Sequence, residues 1–459
     1  MASLDNSGSQ VYSSVKDYYG KVLQSSKDLK TSACTAGSAP NPVLRSIIAK
    51  IPHAVNDKFY GCGNPIPLGI TGKDILDLGS GSGRDCYIAA ALVGPQGSVT
   101  GVDMTDEQLE TARQSIPEYA DTLGYQPRLK FLTGYIEMLQ EAGVANESID
   151  ICISNCVINL SPNKRLVLEG VYQALRPGGE LYFSDVYADA QLPEAVRTHD
   201  VLLGECIGGA LYTEEFEQIA KDIGFFSPRA LAVSHIEVHD AELKALVGDV
   251  KFYSITYRLF KPAAVPATAA VKVPEEEAYV STATYLGTIE GHEELYELDV
   301  DNVFKKNVPN AISPSTADIL SSSWLAPFFT LKFDATGQLQ APPAQPTSTV
   351  ELMQKAYKDS TPSTSGCCPP KNTSGCCPPK DTSGCCPPKN ASSGCCPPKS
   401  TSSGCCPPKN TSGCCPPKKT SSGCCPPASK SAEPELPKLE ILNADGGSDS
   451  ATCGKGGCC

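Results

Sequence analysis

The chain has 459 residues, 41% of them apolar, and a formal charge of −13. Residues 361–459 hold ten lysines against six acidic residues, a charge of +4, which leaves −17 on residues 1–360. An acidic body excludes nonspecific nucleic-acid binding, which needs clustered Lys and Arg, and no run approaches the roughly 20 apolar residues of a membrane span.

The N-terminal MASLDNSGSQ has neither the basic nor the apolar region of a secretory signal. A cytoplasmic, reducing location is therefore expected, where the 23 cysteines serve as thiols or ligands rather than structural disulfides. Residues 9–30 have helical spacing, with Val11, Val15, Tyr18, Tyr19 and Val22 on one face. With the loop-rich stretch that follows, they make an N-terminal cap over residues 1–70 that carries Cys34 and Cys62. Residues 71–190 alternate strand and helix patterns, with strands predicted near residues 75–78, 98–103, 129–132, 149–154 and 180–185. That alternation predicts an α/β fold: a Rossmann-like, doubly wound, mostly parallel sheet covered on both faces. Residues 191–262 read as a small α+β lobe, 263–278 as an Ala/Pro/Val-rich linker, and 279–340 as a small C-terminal domain. From 341 to 459 the composition collapses to Pro, Ser, Thr, Gly, Cys and Lys, and a disordered tail is expected because so little can be buried.

Asp74-Ile-Leu-Asp-Leu-Gly-Ser-Gly-Ser-Gly83 is the strongest local signal. A buried strand delivers Asp77 to its C-terminal end, and Gly79, Gly81 and Gly83 let the backbone turn and approach a ligand before the next helix. The spacing is G-x-G-x-G rather than the G-x-G-x-x-G of dinucleotide binders. Asp103 ends the second strand, where a carboxylate accepts hydrogen bonds from ribose hydroxyls. Together with the later turn and strand Leu175-Arg-Pro-Gly-Gly-Glu-Leu-Tyr-Phe-Ser-Asp185, the body resembles the class I S-adenosylmethionine-dependent methyltransferases. The resemblance implies a cofactor set of Asp77, Gly79, Ser80, Gly81, Gly83, Arg84, Asp103, Met104 and Asn155. For Arg84 a salt bridge at the helix terminus is an equally good account.

The cysteines form two populations. Seventeen lie beyond residue 360, mostly as vicinal pairs; six, Cys34, Cys62, Cys86, Cys152, Cys156 and Cys206, are scattered through the body. Cys156 follows a strand at the carboxyl edge of the sheet, where open α/β folds bind ligands, and Cys206 lies beside small residues that permit close approach. Cys86 and Cys152, on an apolar helix and inside an apolar strand, are expected to pack. Val15-Lys-Asp-Tyr-Tyr-Gly20, Asp28-Leu-Lys-Thr-Ser-Ala-Cys34, Phe59-Tyr-Gly-Cys-Gly63, Gly83-Arg-Asp-Cys-Tyr87, Gly101-Val-Asp-Met-Thr105, Ser154-Asn-Cys-Val-Ile-Asn159 and Gly204-Glu-Cys-Ile-Gly-Gly-Ala210 resemble, in that order, the arsenite methyltransferases. The resemblance covers roughly residues 10–262 and extends more weakly to about 335.

It implies that Cys156 and Cys206, with Cys62, are ligands of trivalent arsenic, and that Cys34 forms a disulfide with Cys62 during turnover. Arsenite and its methylated products are then the substrates, thioredoxin or glutathione the reductant, and a monomer is expected. Arsenic held by three thiolates keeps a lone pair that attacks a sulfonium methyl group without a general base.

Seven Cys-Cys-Pro-Pro units begin at Cys367, Cys376, Cys385, Cys395, Cys405, Cys414 and Cys424. Such units offer adjacent thiols on an extended polyproline course, suited to binding arsenite or another soft metal, and are not part of the family core. Two other readings are open on sequence alone: methylation of an organic acceptor of sterol or quinone type, and a thiol-rich sequestering protein.

Overall fold

The computed structural model describes residues 11–13, 15–16, 40–58, 61, 63–263, 281–333 and 346–360, all within the unit Met1–Lys371. Cys34, Cys62 and the Cys-Cys-Pro-Pro array lie outside the described residues.

The sheet is built outward from β1 (Asp74–Leu78), which pairs in parallel with β2 (Ser98–Asp103) on one side and β4 (Ile149–Asn155) on the other. Strand alternation sends Ile75 into one apolar layer, with Tyr87, Ile88, Val99 and Leu109, and Leu76 into the opposite layer, with Val102, Val167, Leu168 and Leu181. Both faces are therefore covered, which is why Ile75, Leu76 and Leu78 are all buried whichever face they point to. With β3 (Leu129–Thr133), β5 (Leu175–Ala188), β7 (Arg229–Ile236) and β8 (Phe252–Phe260) the order is β3-β2-β1-β4-β5-β8-β7, and β6 (Leu211–Tyr212) pairs with β5. β8 runs antiparallel to both β5 and β7. The strands of residues 191–262 thus extend the main sheet, while their short helices, Glu194–Arg197, Asp200–Gly204 and Ala241–Val247, build a separate apolar cluster with Cys156, Val186 and Phe252. The chain reverses its winding between β1 and β4, and the crevice beyond their carboxyl ends is where open α/β sheets bind ligands.

Residues 281–333 form a three-stranded antiparallel sheet, β12 (Pro309–Ile312), β9 (Ser281–Tyr285) and β13 (Phe329–Phe333), beside a hairpin of β10 (Leu295–Glu297) and β11 (Val303–Lys305). Their apolar residues Tyr285, Ile319, Leu320 and Leu325 join the same cluster as Ile75 and Tyr87. A buried ion pair of the main sheet is also tied to this segment by two hydrogen bonds. Arg258 on β8 grips Glu180 on β5 through Nε at 2.6 Å and Nη2 at 3.0 Å. Tyr296 Oη accepts from Arg258 Nη1 at 2.8 Å, and Trp324 Nε1 donates to Glu180 at 2.7 Å.

One difference from the sequence reading lies within the stretch expected to be disordered. Thr349–Ser360 is a helix that buries Met353 against the β7 side of the sheet, with Leu352, Ala356 and Tyr357 beside it. Leu352, Met353, Ala356 and Tyr357 fall on one face, enough to pack although the flanking composition is poor in apolar residues.

Candidate active site

Beyond the carboxyl ends of β1, β2 and β4 lies an open cleft of about 1000 Å³. Asp77, Gly79, Ser80, Gly81, Arg84, Asp103, Met104, Asn155 and Cys156 all line it, so most of the cofactor set expected from sequence meets in one place. Gly83 stands just behind, in left-handed backbone at φ 93° and capping the helix Arg84–Val93. Gly79 and Gly81 are left-handed too, at 62° and 51°, which is how the loop turns within so few residues.

Asp103 is oriented by main-chain donors: its Oδ2 accepts from Gly81 N at 2.9 Å and its Oδ1 from Thr105 N at 2.8 Å. Burial pushes the Asp103 carboxyl above the ordinary carboxylate range, against these hydrogen bonds. Asp77 is raised further, by burial and by the neighbouring Asp85 carboxylate. The Cys86 thiol, itself pushed up by burial, donates to Asp77 Oδ2 at 3.1 Å. Cys86 and Cys152 are buried in the apolar layers, as expected for packing residues. Three carboxylates, of Asp77, Asp85 and Asp103, thus gather on the cleft floor, with the Arg84 guanidinium 3.9 Å from Asp85. Such a floor favours a ligand that brings positive charge.

Asn155 lines the cleft, but its amide is committed elsewhere. Nδ2 donates to Gly63 O at 3.2 Å and Asp85 Oδ2 at 3.1 Å, and Oδ1 accepts from Gly63 N at 3.2 Å. Asn155 therefore ties the loop at residue 63 to the sheet edge.

Next to it, Cys156 and Cys206 adjoin. The Cys206 thiol donates to Cys156 O at 3.0 Å, and both residues are buried. Among the described residues four non-glycines have positive φ, and these two cysteines, at 57° and 63°, are half of them. Left-handed backbone costs a residue with a side chain about 1–2 kcal/mol, and such strain clusters at functional sites. Gly209 allows the Cys206 loop to lie against the segment after Cys156, since a Cβ there would fall 1.9 Å from Asn159 O. In the structure Cys156 is disulfide-bonded, with a partner outside the described residues, whereas the sequence reading expected a thiolate at this position.

Sequence reasoning missed one member of this corner. A carboxylate oxygen of Asp185 and the sulfurs of Cys156 and Cys206 all lie within 4.8 Å of one another, and all three residues are buried. Asp185 Oδ2 accepts from Asn159 N at 3.0 Å and Oδ1 from Val186 N at 2.8 Å. Burial pushes its carboxyl up to about 7. Lys164, whose Nζ donates to Ser161 O at 2.9 Å, is drawn down to about 8 by burial, opposed by Asp185. Gln108, Ile136, Glu137 and Ser161 also line the cleft without having been singled out. The available signal for Asp185 was its position at the end of the strand predicted over 180–185, as Asp103 ends the strand predicted over 98–103.

Residues 71–224 match a family described as a methyltransferase domain, and residues 279–429 match the arsenite methyltransferase C-terminal domain. The chain is 45% identical over 322 residues to the arsenite methyltransferase of Mus musculus, covering 70% of this chain and 83% of that one. It is 43% identical to that of Homo sapiens, covering 70% and 84%. Among solved structures it resembles an arsenic(III) S-adenosylmethionine methyltransferase from Chlamydomonas reinhardtii, with a TM-score of 0.60 and 50% identity, covering 65% of this chain and 98% of that one.

Proposed function

Because the chain belongs to the arsenite methyltransferase family, we propose that Cys156 and Cys206 hold trivalent arsenic at the mouth of the cleft that binds S-adenosylmethionine. The enzyme transfers methyl groups from S-adenosylmethionine to arsenite. The observation that carries the assignment of residues is the adjacency of the two buried sulfurs to the cleft that Cys156 itself lines.

The cleft suits the methyl donor. Ser80 Oγ, Gln108 Oε1 and Glu137 Oε2 are buried along it without a hydrogen-bond partner, so they can receive a polar ligand. Asp77 and Asp85 offer negative charge to a cation, and Asp103, already aimed by Gly81 and Thr105, offers acceptors to a ribose. When bound, the donor supplies an electrophilic methyl group on a sulfonium. The protein's part is to hold arsenic with its lone pair in line with that carbon, and orientation of this kind lowers the barrier by up to about 7–11 kcal/mol in favourable intramolecular cases. Apolar walls of Leu160, Ile136 and Val157 limit the access of water.

Cys62 is the third ligand in this reading, and Cys34 the thiol that pairs with it as a disulfide to return arsenic to the trivalent state. Its support is the anchoring of Gly63, the next residue in the chain, on Asn155, the residue before Cys156. The disulfide at Cys156 supports a reading in which the arsenic-binding form is the reduced one, regenerated by a thiol reductant, thioredoxin or glutathione. Residues 191–262 act as the arsenic-binding lobe.

The test uses reduced full-length protein. Cys156→Ser and Cys206→Ser should each abolish arsenite methylation and lower bound arsenic by one atom per chain, with S-adenosylmethionine affinity unchanged. Methylation at wild-type rates in either variant would refute the assignment.

A further inference from the structure

Asp185 faces the two arsenic-binding sulfurs from inside the sheet. It is 1% exposed, and its carboxylate stands within 4.8 Å of both. The carboxylate is fixed rather than swinging, because Asn159 N and Val186 N hold one oxygen each, at 3.0 and 2.8 Å. Asp77 on β1 and Asp103 on β2 line the cofactor cleft, whereas Asp185 on β5 is turned to the sulfurs.

The charge balance of the reaction gives this placement a meaning. Arsenic(III) bound by three thiolates is neutral. Its lone pair forms the As–C bond while the C–S bond breaks with its electron pair passing to sulfur. The sulfonium becomes a neutral thioether, and the positive charge passes to four-coordinate arsenic. No proton moves, so general acid–base catalysis has nothing to contribute, and the group that helps is an anion fixed at the arsenic end.

We propose that Asp185 is the counter-ion of the positive charge that arsenic acquires in methyl transfer. Prearranged charge of this kind lowers a barrier without reorganisation, and removing one such group costs on the order of 10²–10³-fold in rate. The inference rests on Cys156 and Cys206 being the arsenic ligands.

Asp185→Asn keeps the shape and removes the charge, while Asp185→Glu keeps the charge one methylene displaced. Three quantities are measured on the reduced full-length protein: arsenic bound in excess of a Cys156→Ser/Cys206→Ser double variant, S-adenosylmethionine affinity by calorimetry, and the single-turnover rate of methyl transfer. Excess arsenic and cofactor affinity should stay within about threefold of wild type in both variants. Transfer should fall about 10²-fold in Asp185→Asn and no more than about tenfold in Asp185→Glu. A rate within threefold of wild type in Asp185→Asn overturns the proposal, and so do equal losses in both variants or arsenic binding lost in parallel with rate. If Asp185→Asn fails to fold, Asp185→Glu decides, and a loss beyond about a hundredfold overturns it. No excess arsenic on the wild type itself would instead refute the ligand assignment.

Discussion

The Cys206 thiol hydrogen-bonds the main-chain oxygen of Cys156, 50 residues earlier in the chain, at 3.0 Å. Strand β4 delivers one cysteine and the loop after Asp200–Gly204 the other, so the pair exists only while that loop is seated. Seating depends on the contact of Gly209 with Asn159, whose own N–H holds Asp185.

Gly209→Ala should therefore damage the site without touching a sulfur. The added Cβ meets backbone, which cannot swing aside, so the loop must shift. Overpacking of this type costs about 1–3 kcal/mol, and a displacement near 1 Å costs about 10²-fold in rate. Thermal melting and single-turnover transfer together check this, and a variant with full activity contradicts it.

Asp103→Ala should weaken S-adenosylmethionine binding selectively. The change removes a prospective ribose acceptor and leaves the Gly81 and Thr105 amides without their partner. Hydrogen bonds to a charged group are worth about 1.5–3 kcal/mol, so the dissociation constant by calorimetry should rise by about one to two orders of magnitude. Arsenic stoichiometry should not change.

Arg258→Met should lower stability sharply. It strands Glu180 in a buried site with Trp324 as its remaining hydrogen-bond donor among the contacts described. Breaking one side of a buried pair costs about 3–5 kcal/mol. The double variant Arg258→Met/Glu180→Leu should recover part of that loss, as denaturant unfolding of the three proteins can show.

A chain ending at Ser360 should fold and methylate saturating arsenite at the wild-type rate, yet bind less arsenic per molecule, because the Cys-Cys pairs are gone. Ending at residue 345 instead removes the helix Thr349–Ser360 and uncovers the side of the sheet that Met353 covers. Losing a buried side chain of that size costs about 1.5–3 kcal/mol, visible as a lower melting temperature than for the longer truncation.

The sequence made the cofactor loop readable because strand, glycine turn and helix are contiguous, so local spacing contains the geometry. Cys156 and Cys206 were readable from their immediate neighbours. Asp185 was not, because its nearness to Cys156 follows from the pairing of β4 with β5, Asn155 opposite Ser184, which no local pattern records. The Arg258–Glu180 pair spans 78 residues and was hidden for the same reason. The helix Thr349–Ser360 was masked by the Pro- and Ser-rich residues around it. The apparent independence of the segment after the linker came from the linker itself, while the apolar side chains of residues 281–333 share the core of the body.

Trp324 is the sole tryptophan of the chain. Its indole is nearly buried and hydrogen-bonded to Glu180 on β5, the strand that carries Asp185 five residues later. The unlabelled protein therefore carries a built-in fluorophore at the seam between residues 281–333 and the catalytic sheet. Its emission reports whether that seam is closed, separately from any assay of chemistry.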